Sequence, residues 1–221
     1  MKRHFDIEIR ELTKKLFEMT TIVERAIDLV ILSILERDSR IAQEVIESEK
    51  MTDELEIEIE EQCMTMLALY QPVAKNLRYI VMIMRIIVDL ERMSDETKNI
   101  ALAAINLLKD PPIEIFMQRI PDMAKKVKVM VRDAITSLVE RSEEIAMSVI
   151  ENDDAVDEDY HNILNSLLKE LSERKLNCER IIDWLFITRH FERLGDHATN
   201  IAEDVLYIVR GKNVKHMKPQ F

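Results

Sequence analysis

Glycine is almost missing from this sequence, with two residues in 221, and proline contributes only five. That scarcity excludes sheets built on tight hairpins, flexible linkers and glycine-rich loops that cradle phosphate. Cysteine is as scarce. Cys63 and Cys178 stand alone, neither in a Cys-x-x-Cys pair, so a disulfide framework and a structural zinc site are excluded. Both are expected to be small core residues in a reducing compartment. Long apolar runs are absent as well. The most apolar stretch, residues 77–90, is broken by Arg78, Arg85 and Asp89 and is too short and too charged to span a bilayer. Residues 1–6 lead into charged amphipathic sequence with no signal-peptide apolar region, so the expected location is cytoplasmic. Basic residues are outnumbered, 31 against 42 acidic, for a net charge of −11. Such a surface repels nucleic acid and anionic lipid, and free phosphate too unless a metal or a local basic pocket intervenes. The short basic stretch from Arg210 to Lys218 reads as a solvated tail.

What is present is helical periodicity over nearly the whole chain. Ile41, Val45, Ser48, Thr52, Leu55, Ile59 and Met66 form one seam. Ile80, Ile83, Ile87, Leu90, Ser94, Thr97, Ala101, Ala104 and Leu108 form another. Thirteen methionines suit cores made from long helices. Asp38-Ser39 offers an N-cap, Gln71-Pro72 separates the second helix from the third, and Asp110-Pro111-Pro112 closes the third. A linker is expected up to Pro121. Three more helices follow, near residues 121–141, 143–172 and 177–210, with Gly211 as a C-cap.

The second half copies the first. Ser33, Glu36, Arg37, Ile41, Ala42, Val45, Ile46 and Glu47 recur 104 positions later, as do Asp53 and Glu54. Further on the offset is 101, and Leu90-Glu-Arg-Met-Ser-Asp matches Phe191-Glu-Arg-Leu-Gly-Asp. Bundle periodicity repeats apolar positions; it does not repeat polar ones. The expected fold is all-α, a tandem duplication of an antiparallel three-helix, spectrin-like bundle, with repeats at 1–110 and 111–221 set end to end as one elongated unit.

Within each repeat the acids recur in rows. Glu91, Asp95 and Asn99 lie on one helix face, and so do Glu192, Asp196 and Asn200. The neighbouring helices add the pairs Glu49 with Asp53 and Asp153 with Asp157, at similar heights if the helices are antiparallel. Crowded carboxylates repel, and a hard cation relieves them; oxygen donors suit magnesium, calcium, manganese and iron. The competing readings are a solvated acidic face, or neutralisation by Arg92 and Arg189 at i+3 or i+4. His190 and His197 flank the second row where Asp89 and Glu96 flank the first. His197 is expected to be half-exposed, with a ligand role in one repeat as the alternative. Trp184 reads as a core or interface anchor, and residues 53–61 as a solvated acidic face.

These motifs, with residues 71–78 (Gln-Pro-Val-Ala-Lys-Asn-Leu-Arg) and 200–202 (Asn-Ile-Ala), resemble the PhoU family over essentially the whole chain. The resemblance implies two three-helix bundles whose Glu/Asp-x-x-x-Asp motifs hold clusters of iron or another metal. On this chain the matching positions are Glu49, Asp53, Glu91, Asp95, Asp153, Asp157, Glu192 and Asp196. It also implies a homodimeric, non-enzymatic negative regulator of phosphate uptake and phosphate-starvation signalling. Its implied partners are the ATPase of a phosphate ABC transporter and a sensor histidine kinase, so that it meets the membrane only through partners. Ser94 and Thr97 depart from the second copy, where Gly195 and Ala198 stand. One rival is a ferritin-like di-iron carboxylate oxidase, which needs two Glu-x-x-His motifs; only Glu158-x-x-His161 is present, against Glu54-x-x-Ile57 in the other copy. No Ser-His-Asp order or P-loop is available. The other rival is a metal-free helical adaptor.

Overall fold

The computed structural model describes residues 2–173 and 178–211, and they form six long helices. These are α1 (Lys2–Glu36), α2 (Ser39–Tyr70), α3 (Lys75–Leu107), α4 (Glu114–Glu140), α5 (Glu143–Ser172) and α6 (Cys178–Arg210). The proposed helical start at Asn177 and the basic stretch beyond Gly211 lie outside the described residues. Arg210, at the foot of that stretch, pairs with Glu143 at 2.5 Å.

Corner chemistry is repeated with the sequence. Arg37 and Arg141 both take left-handed backbone at φ 56 and 52. Each turn is closed by a reaching amide, Asp38 N–H to Ser33 O and Ser142 N–H to Ser137 O. Asp38 then caps α2 by accepting from the Arg40 N–H, and Ser142 caps α5 by accepting from the Ile145 N–H. The Arg37 side chain donates to the carbonyls of Leu108 and Asp110, satisfying the end of α3. Gln71 and Gly211 end their helices in the left-handed region, Gly211 as expected.

One expected boundary fails. The linker assigned up to Pro121 is helical from Glu114, and Pro121 lies inside α4. An interior proline costs about 3 kcal/mol. Phe116, Ile120 and Met123 are fully buried on this segment. Burying such side chains returns about 1.5–3 kcal/mol each, more than the proline costs.

The second correction concerns how the repeats meet. They do not stack end to end; they lie side by side, with α3 along α6 and α1 along α4. Sixteen residues are buried on α3 and sixteen on α6, against six on α2 and five on α5. The central helices therefore carry two buried stripes each. On α3 one stripe is the expected seam through Ile80, Ile87, Leu90 and Ala101. The other runs through Met82, Ile86, Met93, Ile100 and Leu107 and faces the opposite repeat.

That second stripe is not purely apolar. Asp89 and Glu96 lie in it on α3, and His190, His197 and Asp204 in its counterpart on α6. His197 Nδ1 is 2.9 Å from Asp89 Oδ1, and His190 Nδ1 is paired with Glu96 Oε2. Arg193 reaches Glu96 at 3.1 Å and Arg85 reaches Asp204 at 3.1 Å. The partner numbers fall on one helix as they rise on the other, so α3 and α6 run antiparallel. His197 is buried, not half-exposed, and its ring is turned to Asp89 rather than into the acidic row. Across the α1–α4 contact, Asp28 with Lys128 and Glu24 with Arg132 make the same antiparallel pairing at the surface. Of the other single residues, Trp184 is a core anchor against Phe116, with ring centroids 5.3 Å apart. Cys63 is buried as expected, whereas Cys178 opens α6 in an exposed position.

Glu96 is 4% exposed, so removing its carboxylate leaves the His190 ring and the Arg193 guanidinium without their shared partner at the contact between repeats. Glu96→Ala is expected to lower stability by about 2 kcal/mol. Leu102→Ala, on the exposed face of the same helix, is expected to stay within about 0.5 kcal/mol. Urea midpoints measured on both variants check this contrast.

Candidate functional site

The acidic rows gather where α2 faces α3 and where α5 faces α6, as the antiparallel heights require. In the first repeat Glu49 and Asp53 on α2 meet Glu91 and Asp95 on α3, all half-buried. Lys98 enters this group: its Nζ lies 2.5 Å from Glu49 Oε1. The ammonium holds the Glu49 carboxyl below its usual range. Burial pushes Glu91 and Asp95 upward, and the neighbouring carboxylates add to the shift. Glu56 also belongs here, raised by burial and then by Glu60 and Asp53. Neither Lys98 nor Glu56 belongs to the expected rows. The signal was available for Lys98, which stands at i+3 from Asp95. Glu56 is hidden in the acidic run 53–61, most of which is a solvated face as expected.

In the second repeat Asp153 and Asp157 on α5 meet Glu192 and Asp196 on α6. Burial raises Asp153 and Glu192, and desolvation of its carboxyl within the cluster raises Asp196 too, although that residue is largely exposed. Asp153 is pushed up to about 7, by burial first and then by Asp157, Asp196 and Glu192. Arg189 neutralises one oxygen of Glu192 at 2.5 Å, as its spacing suggested, while lying over the Tyr160 ring. Among the described residues Arg92 makes no ion pair with Asp95 or Glu96. The other oxygen of Glu192, Oε2, is buried without a hydrogen-bond partner. Gly195 makes room for this arrangement, since a Cβ there would come to 3.1 Å from Asp153 Oδ1. In the first repeat the same level is filled by Ser94, which accepts a hydrogen bond from Thr52 at 3.0 Å.

The two asparagines do not join the carboxylates. Asn99 is exposed, and Asn200 donates to Asp89 across the contact between repeats. Among the described residues no three His, Cys, Asp or Glu side chains converge closely enough to close a coordination sphere. The second cluster has the donor chemistry that hard cations take, oxygen only, with Glu192 Oε2 buried and without a hydrogen-bond partner. The ferritin-like site has no such support, because Glu158 and His161 are both exposed on α5.

A family profile described as the PhoU domain matches residues 16–104 and again residues 120–205. The chain belongs to the PhoU family. Similar proteins include a phosphate-specific transport system accessory protein PhoU homolog of Aquifex aeolicus, 40% identical over 95% of this chain and 94% of the relative. The homolog of Pseudomonas putida is 33% identical over 98% of this chain and 85% of its own length. Among solved structures, PhoU from Pseudomonas aeruginosa superposes with a TM-score of 0.87 at 32% identity, covering 94% of this chain and all of that one. The fold is the six-helix, two-bundle PhoU fold, and the family is one of accessory proteins, not enzymes. Among the described residues no helix is long and apolar enough to cross a membrane.

The Asp153 shift has a sign. Its carboxyl binds a proton more tightly in the folded chain than in the unfolded one, so between 3.8 and about 7 the folded state holds more protons. Stability therefore falls as pH rises through that window. Asp153→Asn is expected to stabilise the metal-free chain at pH 8, on the order of 2 kcal/mol after solvent screening. The gain is expected to vanish near pH 4, as read from urea titrations at both pH values.

Proposed function

We propose that this protein is a negative regulator of phosphate uptake and of phosphate-starvation signalling. It works in the cytoplasm as a homodimer, binding the ATPase component of a phosphate ABC transporter and a sensor histidine kinase. The observation that carries this reading is the near full-length likeness to relatives described as phosphate-specific transport system accessory proteins. The two halves at 1–110 and 111–221 are its repeats.

Such a protein couples one partner's state to another's only if it binds their conformations with different affinity. A paired, rigid double bundle suits this role. It offers long helical faces and no catalytic constellation among the described residues. The acidic clusters supply a second element: a divalent or trivalent hard cation, with iron, manganese, magnesium and calcium all compatible with oxygen donors. Glu49, Asp53, Glu91 and Asp95 would serve one repeat and Asp153, Asp157, Glu192 and Asp196 the other. A bound cation would relieve the repulsion among the carboxylates and fix α5 against α6.

A metal-free adaptor is the second reading. What favours it is the ion pair of Lys98 with Glu49, which already compensates part of one cluster.

Immobilised full-length protein is expected to retain both the transporter ATPase and the histidine kinase from purified components. Asp95→Ala combined with Asp196→Ala is expected to weaken retention if the clusters shape the docking faces. Retention of neither partner by the wild-type chain would end the regulatory reading. Retention unaffected by the paired substitution, together with no metal in the purified protein, would favour the adaptor.

A further inference from the structure

The two repeats are related by an internal two-fold axis, and two separate contacts show it. On α3 and α6, Asp89 with His197 and Glu96 with His190 exchange places at the offset of 101. On α1 and α4, Glu24 with Arg132 and Asp28 with Lys128 exchange in the same way at the offset of 104. The axis passes through both contacts, across the helices. Helices α1 and α4 cover one side of the α3–α6 pair, and among the described residues no helix covers the other. That open side carries the exposed line Val81, Arg85 and Arg92 of α3 and the line Ile182, Phe186 and Arg193 of α6.

Apolar side chains are exposed at matched places near the two ends of this side. Where α2 turns into α3, Met64 stands level with Val81, by the register that sets Thr52 against Ser94. Where α5 turns into α6, Leu168 stands level with Ile182, by the register that sets Arg189 over Tyr160. Leu168 is the repeat mate of Met64, and Ile182 of Val81. Met64 is 56% exposed and Leu168 52%. A shared core keeps buried positions alike in a duplicated fold. Exposed positions are under no such constraint, and elsewhere they have parted: the exposed Ile57 corresponds to His161 and the exposed Leu102 to Glu203.

The first corner is also stiffly built. Gln71 and Ala74 take positive φ, 44 and 49, held by Gln71 N–H to Leu67 O and Arg78 N–H to Ala74 O. Such backbone costs a non-glycine residue free energy. Here it fixes Val73, 76% exposed, four residues before the exposed Leu77. A rigid apolar knob loses little entropy when it is covered. The second corner extends its patch with the exposed Phe186, where the first has Arg85 paired with Asp204.

We infer that the two corners form one docking surface for a protein partner that is itself two-fold symmetric, each of its two equal apolar slots taking one corner. Ile182 stands level with Ala104 by the His190–Glu96 register, so the corners lie roughly 35 Å apart along the helices. A second copy of this chain is a poorer occupant. It carries the same net charge of −11 and would bring a second set of acidic rows onto this side. Joined corner to corner at one end, it would leave the other corner open and build a filament instead of a closed pair. The inference rests on the transporter reading above and names the surface that reading uses.

The test uses the full-length chain and, as probe, the detergent-solubilised phosphate transporter, whose paired ATPase subunits supply a two-fold axis. Affinity is read by surface plasmon resonance and composition by sedimentation. One variant carries Met64→Gln with Val81→Gln, another Leu168→Gln with Ile182→Gln, and a third all four. The sites are exposed, so the chains are expected to stay folded, which circular dichroism confirms. Each double variant is expected to lose about 10-fold in affinity, and the fourfold variant roughly 100-fold or more, because the two sites bind jointly. Leu102→Gln, exposed but without an apolar mate, is expected to stay within about twofold. Wild-type complexes are expected to hold one chain per pair of ATPase subunits. Binding that neither double variant weakens, or that one corner carries alone, would overturn the inference and leave the regulatory reading standing. So would corner variants that alter self-association of the chain and not its hold on the transporter. No binding by the wild type would overturn both.

Discussion

The architecture depends on α3 and α6 each being buried on two sides. A helix in an isolated three-helix bundle needs one apolar stripe. These two carry a second, and without a partner it would lie open to water. Met82, Ile86, Met93 and Ile100 find that partner in the matching stripe of α6. The non-directional drive to bury this surface brings the repeats together. The direction and register of the contact come from the polar residues within it. A one-turn slip would unseat both His197 from Asp89 and His190 from Glu96. The flanking reaches of Arg85 to Asp204 and Arg193 to Glu96 would be lost with them. The α1–α4 contact, with its surface pairs, follows from this central one.

The acidic clusters answer a different problem. Helices α2 and α5 are lightly buried, so their faces toward α3 and α6 leave half-buried positions that carboxylates occupy. Four such groups at one level raise one another's proton affinity unless a positive charge is supplied. Each repeat supplies one from its own sequence, Lys98 on Glu49 in the first and Arg189 on Glu192 in the second, and the second leaves Glu192 Oε2 buried without a hydrogen-bond partner. Three equivalent positions distinguish the clusters: Glu49/Asp153, Lys98/Thr199 and Ser94/Gly195.

Much of this was legible in the residues. Period, caps and the repeated polar positions gave six helices and the pairing of rows, because local periodicity and i, i+4 spacing do not depend on tertiary context. Ser33 with Ser137 and Arg37 with Arg141 recur because each pair builds a corner. The linker before Pro121 was misplaced because a local rule about proline lost to the burial of Phe116 and Ile120. The end-to-end arrangement failed for a related reason. The second stripe of α3 contains Asp89 and Glu96, and charged residues in a stripe read as solvent-facing until their partners are known. His197 was misjudged with them. Lys98 stands off the i, i+4 spacing of the acidic row, so periodicity alone does not assign it to the cluster.

The contact between repeats has a consequence for how this chain can have arisen and for what it can no longer do. Positions 89 and 190 are equivalent, and so are 96 and 197; the first repeat has acids at both and the second has histidines. If two copies of the first repeat met through the same antiparallel geometry, Asp89 of each would oppose Glu96 of the other. Two copies of the second would set His197 against His190. Only the mixed pairing gives every ring a carboxylate partner; two first halves would meet acid to acid and two second halves imidazole to imidazole, so this face favours the other half over a second copy of itself.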